Sequence, residues 1–259
     1  MQTVIFCGGL GTRMREETEF RPKPMVPIGG RPILWHIMKL FAHYGHSEFV
    51  LPLGYKGEMI KDYFWHYQIF NADVTIKLGC RTSATFHNHC AESDWTVTLA
   101  DTGLNSLKSH RLKIVEKYIA GDRFMCTYGD GVADVDLDAL VDFHRSHGKM
   151  ATITGVTRSS SFGKLRYEGD KVISFREKPT GFDQVLTSGG FFVFERKVFG
   201  MLSTGRDYDL EVGLFEDLAR RGELMVYRHK GFWACMDTLR DMEYLNRLWE
   251  EESAPWKIW

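Results

Sequence analysis

A short apolar run, Val4-Ile5-Phe6-Cys7, passes directly into Gly8-Gly9-Leu10-Gly11-Thr12-Arg13, and ten residues past Arg13 stands Lys23-Pro24-Met25. A β-strand that opens into glycines lets bare backbone N–H groups approach phosphate oxygens, because no Cβ intervenes and positive φ is allowed. Arg13 and Lys23 would neutralise such a phosphate chain through charge-assisted hydrogen bonds. The glycines alone can also mark nothing more than a tight turn. The spacing matches neither G-x-G-x-x-G nor the P-loop, whose lysine lies inside the loop, so a dinucleotide fold and a P-loop NTPase are both excluded.

The remaining pattern is one of strands alternating with helices. Pro32 opens a helical repeat, Ile33-Leu34, Ile37-Met38 and Phe41, that Gly45 stops. Strand-like runs follow at Phe49–Leu53, Val74–Leu78, Thr96–Leu99 and Phe124–Tyr128, with helical spacing at Met59, Ile60, Tyr63 and Phe64 and a polar stretch over Gly79–Asp94. Leu137, Leu140, Val141 and His144 continue the helical period, with Asp136 as N-cap and Gly148 as stop. After residue 150 strands dominate, at Ala151–Thr157, Leu165–Tyr167, Val172–Arg176, Gly190–Phe194 and Leu224–Arg228, with helices at Val212–Arg220 and Met242–Trp249. The expected class is α/β, a mostly parallel mixed sheet flanked by helices with a small C-terminal helical extension. The whole of 1–259 is expected to be a single domain, divided at about residue 150, where the alternation of strands and helices gives way mainly to strands.

Composition narrows the function. A formal net charge of −1, with Lys and Arg scattered, gives no footprint for a nucleic-acid partner, so any anion site is local. Five cysteines without C-x-x-C spacing indicate neither a disulfide framework nor a zinc site. The first apolar run is too short for a signal peptide and nothing approaches the ~18 apolar residues of a membrane span, so a cytoplasmic protein with no membrane partner is expected.

Open parallel sheets bind ligands at the carboxyl ends of their strands. Phe124–Tyr128 delivers Gly129-Asp130-Gly131 to that edge, and Phe232 through Met236 deliver Asp237. Two aspartates are the hard oxygen donors that Mg²⁺ takes when phosphates complete its shell. From pattern alone Asp237 reads rather as the N-cap of the helix that follows it, and Asp130 can be a turn residue. Lys178, after Glu177, could hold a second phosphate or be a solvated turn lysine. His87-Asn88-His89-Cys90 reads as a polar loop rather than a metal cluster, and Trp249, Trp256 and Trp259 as packing.

These residues carry a resemblance. The stretches GGLGTR at Gly8, PKPM at Pro22, GYKGEMIKDYF at Gly54, TYGDGVADVD at Thr127, EKP at Glu177 and FWACMDTLRD at Phe232 resemble the cytidylyltransferase branch of the sugar nucleotidyltransferase family, nearly end to end. The resemblance implies a Rossmann-like nucleotidyltransferase fold, homo-oligomers, and transfer of CMP from CTP to a sugar 1-phosphate, glucose 1-phosphate first, with release of pyrophosphate. It implies that Phe6, Cys7, Gly8, Gly9, Leu10, Gly11, Thr12 and Arg13 wrap the nucleotide, that Lys23 contacts its phosphates, and that Asp130 and Asp237 bind Mg²⁺. It also implies nucleotide contacts from Ser106, Arg111 and Gly129, with Ser106 and Arg111 coming from the same or a neighbouring subunit, and acceptor contacts from Glu177 and Lys178. Arg13, Lys23 and Asp130 are the expected catalytic groups.

The chain departs from the pattern on the acceptor side. Ser188-Gly189-Gly190 replaces Asn-Gly-Gly, Lys164 stands beside Phe162-Gly163 where a small residue is expected, and Gly213 and Leu214 follow Glu211 in place of an acidic residue and a proline. Gly163, Lys164 and Ser188 therefore join the acceptor set. A shorter donor and an added cation suit a different phosphorylated or phosphonate acceptor as the alternative, with a non-catalytic sugar-nucleotide binder as the reading from another class.

Overall fold

The computed structural model describes residues 1–79, 83–88, 91–157, 164–176, 186–202 and 207–259. Strand β1 (Thr3–Phe6) is buried at every position and lies well inside a nine-stranded sheet. Its companions in chain order are β2 (Glu48–Leu53), β3 (Thr96–Asp101), β4 (Arg123–Tyr128), β5 (Ala151–Thr157), β6 (Lys164–Glu168), β7 (Lys171–Arg176), β8 (Leu186–Glu195) and β9 (Leu224–His229). The spatial order is β5-β9-β7-β6-β8-β4-β1-β2-β3.

β1 pairs in parallel with β2 and β4, and β2 in parallel with β3. These pairings are the parallel part of the expected sheet, and they bring the C-terminal ends of β1 and β4 side by side through the register Phe6 to Tyr128. The second half mixes directions: β8 runs antiparallel to β4 and β5, β6 antiparallel to β7 and β8, whereas β5 and β9 are parallel. The mixed sheet is the expected architecture, with most of its parallel pairings among the strands before residue 130.

The period-two alternation of β1 divides the core. Ile5 joins Leu34, Ile37, Phe41, Leu51 and Met125 on one face, packed by α1 (Ile33–His43). Val4 and Phe6 join Val50, Phe124, Phe192 and Leu214 on the other, packed by α3 (Lys108–Val115) through Leu112 and Val115. Between these in sequence lies α2 (Gly57–Trp65), and beyond them α4 (Leu137–His147) and α5 (Leu239–Glu250). Asp136 caps α4 by accepting the Ala139 N–H, and Gly148 ends it at φ 63°, as expected. The Val74–Lys77 run is a strand, but it pairs with Ser83–Phe86 in a separate hairpin and adds nothing to the main sheet. Its second strand, Ser83–Phe86, arises within the stretch Gly79–Asp94 expected to be polar, of which residues 80–82, 89 and 90 lie outside the described residues.

Candidate active site

The loop after β1 is held from outside by an arginine. Arg111, on α3, donates to the carbonyl oxygens of Gly8 (3.0 Å), Leu53 (2.9 Å), Gly103 (2.8 Å) and Leu104 (3.1 Å) and to Thr102 Oγ1 (2.7 Å). A Cβ on Gly8 would fall 2.3 Å from its Nη1, so the glycine is there to admit the guanidinium. Burial lowers the pKa of Arg111 from its ordinary value, opposed by Asp207 and Asp101. Gly11, at φ 64°, then turns the chain into the short helical turn Thr12–Met14, which carries Arg13.

Two carboxylates distant in sequence meet across a small ribbon. The strand Gly131–Ala133 pairs antiparallel with Trp233–Cys235, with Gly131 opposite Cys235, and the Met236 N–H donates to Asp130 O at 2.8 Å. Asp130 precedes one strand and Asp237 follows the other, so the ribbon sets them face to face. Asp237 is not the helix cap: Thr238 is, its hydroxyl accepting the Asp241 N–H in a capping box. The Asp237 carboxylate is left for the site.

Lys23 stands between the two acids. Its Nζ lies 2.6 Å from Asp130 Oδ2 and 2.5 Å from Asp237 Oδ1, and Arg13 Nη1 lies 2.6 Å from Asp237 Oδ2. The Lys23 and Asp237 side chains are only 11% and 9% exposed, so the pairing is made largely out of water. Burial works against the Lys23 ammonium, yet Asp130 and Asp237 outweigh it and hold its pKa above the ordinary lysine value. One ligand atom each from Asp130, Cys235 and Asp237 falls within 4.8 Å of the others.

Loop and acids face one cavity of about 390 Å³. Phe6, Gly8, Gly9, Gly11, Thr12 and Arg13 line it from the loop, and Lys23, Gly129, Asp130 and Asp237 line it from the acid side. Ser106, Arg111 and Ser188 complete the sequence-derived set on its wall. Cys7 and Leu10 do not line it: Cys7 is buried beneath the loop, bridged to Leu53, and Leu10 is exposed. Ser106 Oγ donates to Thr102 O at 2.5 Å. Gly163, Glu177 and Lys178 lie outside the described residues. The backbone of Lys164 pairs with Thr187, one residue before Ser188.

A family profile for nucleotidyl transferases matches residues 2–250. The chain belongs to the nucleotidyl transferase family. It is 46% identical over its full length, and over the relative's full length, to the glucose-1-phosphate cytidylyltransferase of Salmonella typhi. Among solved structures it is similar to a UDP-glucose pyrophosphorylase complexed with UDP-glucose (TM-score 0.78, 15% identity, 97% of this chain and 98% of that one). It is also similar to the inositol-1-phosphate CTP transferase of T. maritima (TM-score 0.69, 14% identity, 96% of each chain). These two share the fold expected from the sequence.

The cavity of this nucleotidyl transferase has a wall that the sequence alone did not reveal. Lys108 Nζ sits 2.9 Å from Asp209 Oδ1 and 3.0 Å from Glu211 Oε2, and the Tyr128 hydroxyl donates to Glu211 Oε1 at 2.5 Å. Although burial opposes it, Glu211 and Asp209 raise the pKa of Lys108. Trp233 Nε1 donates to Gly189 O at 2.7 Å and fixes the turn beside Ser188. Tyr128 was signalled by its place before Gly129 at a strand end. Lys108, Asp209 and Cys235 carried no pattern that singled them out.

Proposed function

We propose that this nucleotidyl transferase moves CMP from CTP to glucose 1-phosphate, giving CDP-glucose and pyrophosphate. The observation that carries the reading is the single cavity in which the glycine loop meets the Asp130, Lys23 and Asp237 cluster. The full-length relation to a glucose-1-phosphate cytidylyltransferase supports the choice of substrates.

In this reading the loop from Phe6 to Arg13, with Ser106, Arg111 and Gly129, holds the nucleotide. Arg13 and Lys23 hold its phosphates, and Glu177, Lys178, Ser188 and the segment at Gly163 and Lys164 hold the acceptor. Asp130 and Asp237 offer hard oxygen donors around a position already taken by an ammonium, a donor set that fits Mg²⁺. When bound there, the ion would neutralise charge on the phosphates. The acceptor phosphate oxygen attacks the α-phosphorus in line and pyrophosphate leaves, so no protein nucleophile is required. Catalysis then rests on alignment and on charge partners placed in advance.

Ser188 supports an altered acceptor pocket as the second reading. Its Oγ is buried at the cavity wall with no hydrogen-bond partner among the described residues. A hydroxyl reaches less far than the amide usual at this position. We place the enzyme in the cytoplasm, as the sequence leads us to expect; separately, no helix among the described residues is long and apolar enough to cross a membrane. Residues 1–259 are read as one domain with a nucleotide half to about residue 150. Homo-oligomers are proposed from the apolar side chains of Trp65, Phe70 and Leu78, which are 85%, 73% and 89% exposed.

Pyrophosphate release with CTP against a panel of sugar 1-phosphates and phosphonates tests the activity. Turnover is expected with CTP and glucose 1-phosphate. Turnover only with another acceptor would favour the second reading, and CTP binding without pyrophosphate from any acceptor would leave a sugar-nucleotide binder.

A further inference from the structure

The ammonium of Lys23 occupies the point at which Asp130 and Asp237 converge, at 2.6 and 2.5 Å. Counting Arg13, which is bound to the same Asp237, the cluster holds two cationic and two anionic side chains and is neutral by itself. A divalent ion arriving alone would have to displace Lys23 toward a cavity whose other carboxylates, Asp209 and Glu211, are already paired with Lys108, and would leave that largely buried site doubly positive. A divalent ion arriving on a nucleoside triphosphate brings its own compensating anion, and the phosphate oxygens receive the displaced ammonium.

We infer that Lys23 is a resident substitute for the divalent cation: it keeps the two carboxylates gathered in the empty enzyme, blocks free metal, and makes metal and nucleotide bind as one. This rests on the reading of Asp130 and Asp237 as cation ligands. The geometry supplies the means, since Lys23 sits on the short turn Lys23–Met25, fixed by Pro22 before it and Pro24 within it, so only the side chain need move. The same lysine thus holds the acids together first and the phosphates second. Coupling between the two ligands is reciprocal by linkage, so the nucleotide must tighten the metal as much as the metal tightens the nucleotide.

The test is Mn²⁺ binding to the intact protein, read as loss of the free-ion electron paramagnetic resonance signal beyond the loss caused by the same nucleotide without protein, with and without α,β-methylene-CTP. Wild type is expected to bind Mn²⁺ weakly alone, with the nucleotide analogue tightening it on the order of tenfold or more, within the usual range of coupling energies. Lys23→Met keeps the apolar stem and removes the charge. It is expected to bind Mn²⁺ without nucleotide on the order of tenfold more tightly than wild type, and its thermal midpoint should rise with Mn²⁺ while that of wild type does not. Adding Asp237→Asn should abolish the gain. Wild type binding Mn²⁺ alone as tightly as with the analogue would overturn the inference, as would a folded Lys23→Met variant with no gain. If that variant does not fold, the wild-type comparison decides by itself. Absence of Mn²⁺ binding in every state, nucleotide included, would instead remove the two aspartates as cation ligands and with them the metal part of the proposed function.

Discussion

Single residues show where sequence and structure part company. Gly8 and Gly9 read alike as parts of a phosphate loop, but a Cβ at Gly8 would strike the Arg111 guanidinium at 2.3 Å, whereas one at Gly9 meets nothing within 4 Å. Gly8→Ala is therefore expected to push Arg111 from the carbonyls it gathers and to lower the thermal midpoint and CTP affinity together. Gly9→Ala should stay within about 0.5 kcal/mol of wild-type stability by urea denaturation. Equal behaviour of the two would mean that Arg111 does not brace the loop. Arg13, Lys23 and Asp130 were legible as charge partners from residue type and spacing. Asp237 was not decidable, because an aspartate before a helix is a good cap, and only the capping box between Thr238 and Asp241 releases it. In the proposed reading, Lys23→Ala or Asp130→Asn each removes one preorganised charge partner, and turnover measured by pyrophosphate release should fall about 100-fold or more. Near-normal turnover in either would contradict the assigned role.

At the scale of elements, what was legible depended on whether an element carries a period. Strands buried on both faces and helices such as α1 and α4 announce themselves by apolar spacing, and they appear where expected. α3 does not: its eight residues, KSHRLKIV, show no apolar stripe because Arg111 is buried on it for the sake of loop carbonyls rather than packing. The C-terminal tryptophans illustrate the opposite case, in which apolar bulk alone was informative. Trp256 is fully buried, stacks on Phe232 at 5.6 Å and on Trp249 of α5 at 6.5 Å, and places its Nε1 3.4 Å from His36 Nδ1 on α1. The extension therefore clamps α5 against α1, next to the segment that ends in Asp237. Trp256→Ala opens a cavity there and should cost about 3–5 kcal/mol in denaturant unfolding. If the cost is below about 1 kcal/mol, the tail is an appendage and not part of the core.

For the whole molecule, the sheet order could not be read from the chain, because the register between strands far apart in sequence leaves no local signal; the βα alternation could be, and so could the gathering of Asp130 and the glycine loop at the ends of β4 and β1. A property that does emerge at this scale is the response to acid. His36, His46 and His144 are each pushed down to about 4, in every case chiefly by burial. Neighbouring charge adds to this at His36 through Arg31 and Lys257, at His46 through the N-terminal amine, and at His144 through His147, although Glu195 opposes it there. In the unfolded chain the same rings titrate near 6.5. Between about pH 6.5 and pH 4 the unfolded state therefore binds more protons than the folded one, and stability must fall as pH falls. The drop should begin below about pH 6.5, before most carboxylates titrate, and thermal midpoints measured at pH 7, 6 and 5 should decline in that order. His144→Asn, which removes the titrating ring but leaves a polar group to meet Thr152, should flatten the slope while lowering the midpoint at pH 7. Midpoints that stay level from pH 7 to pH 5 would mean that the buried rings are reached by water in the folded protein.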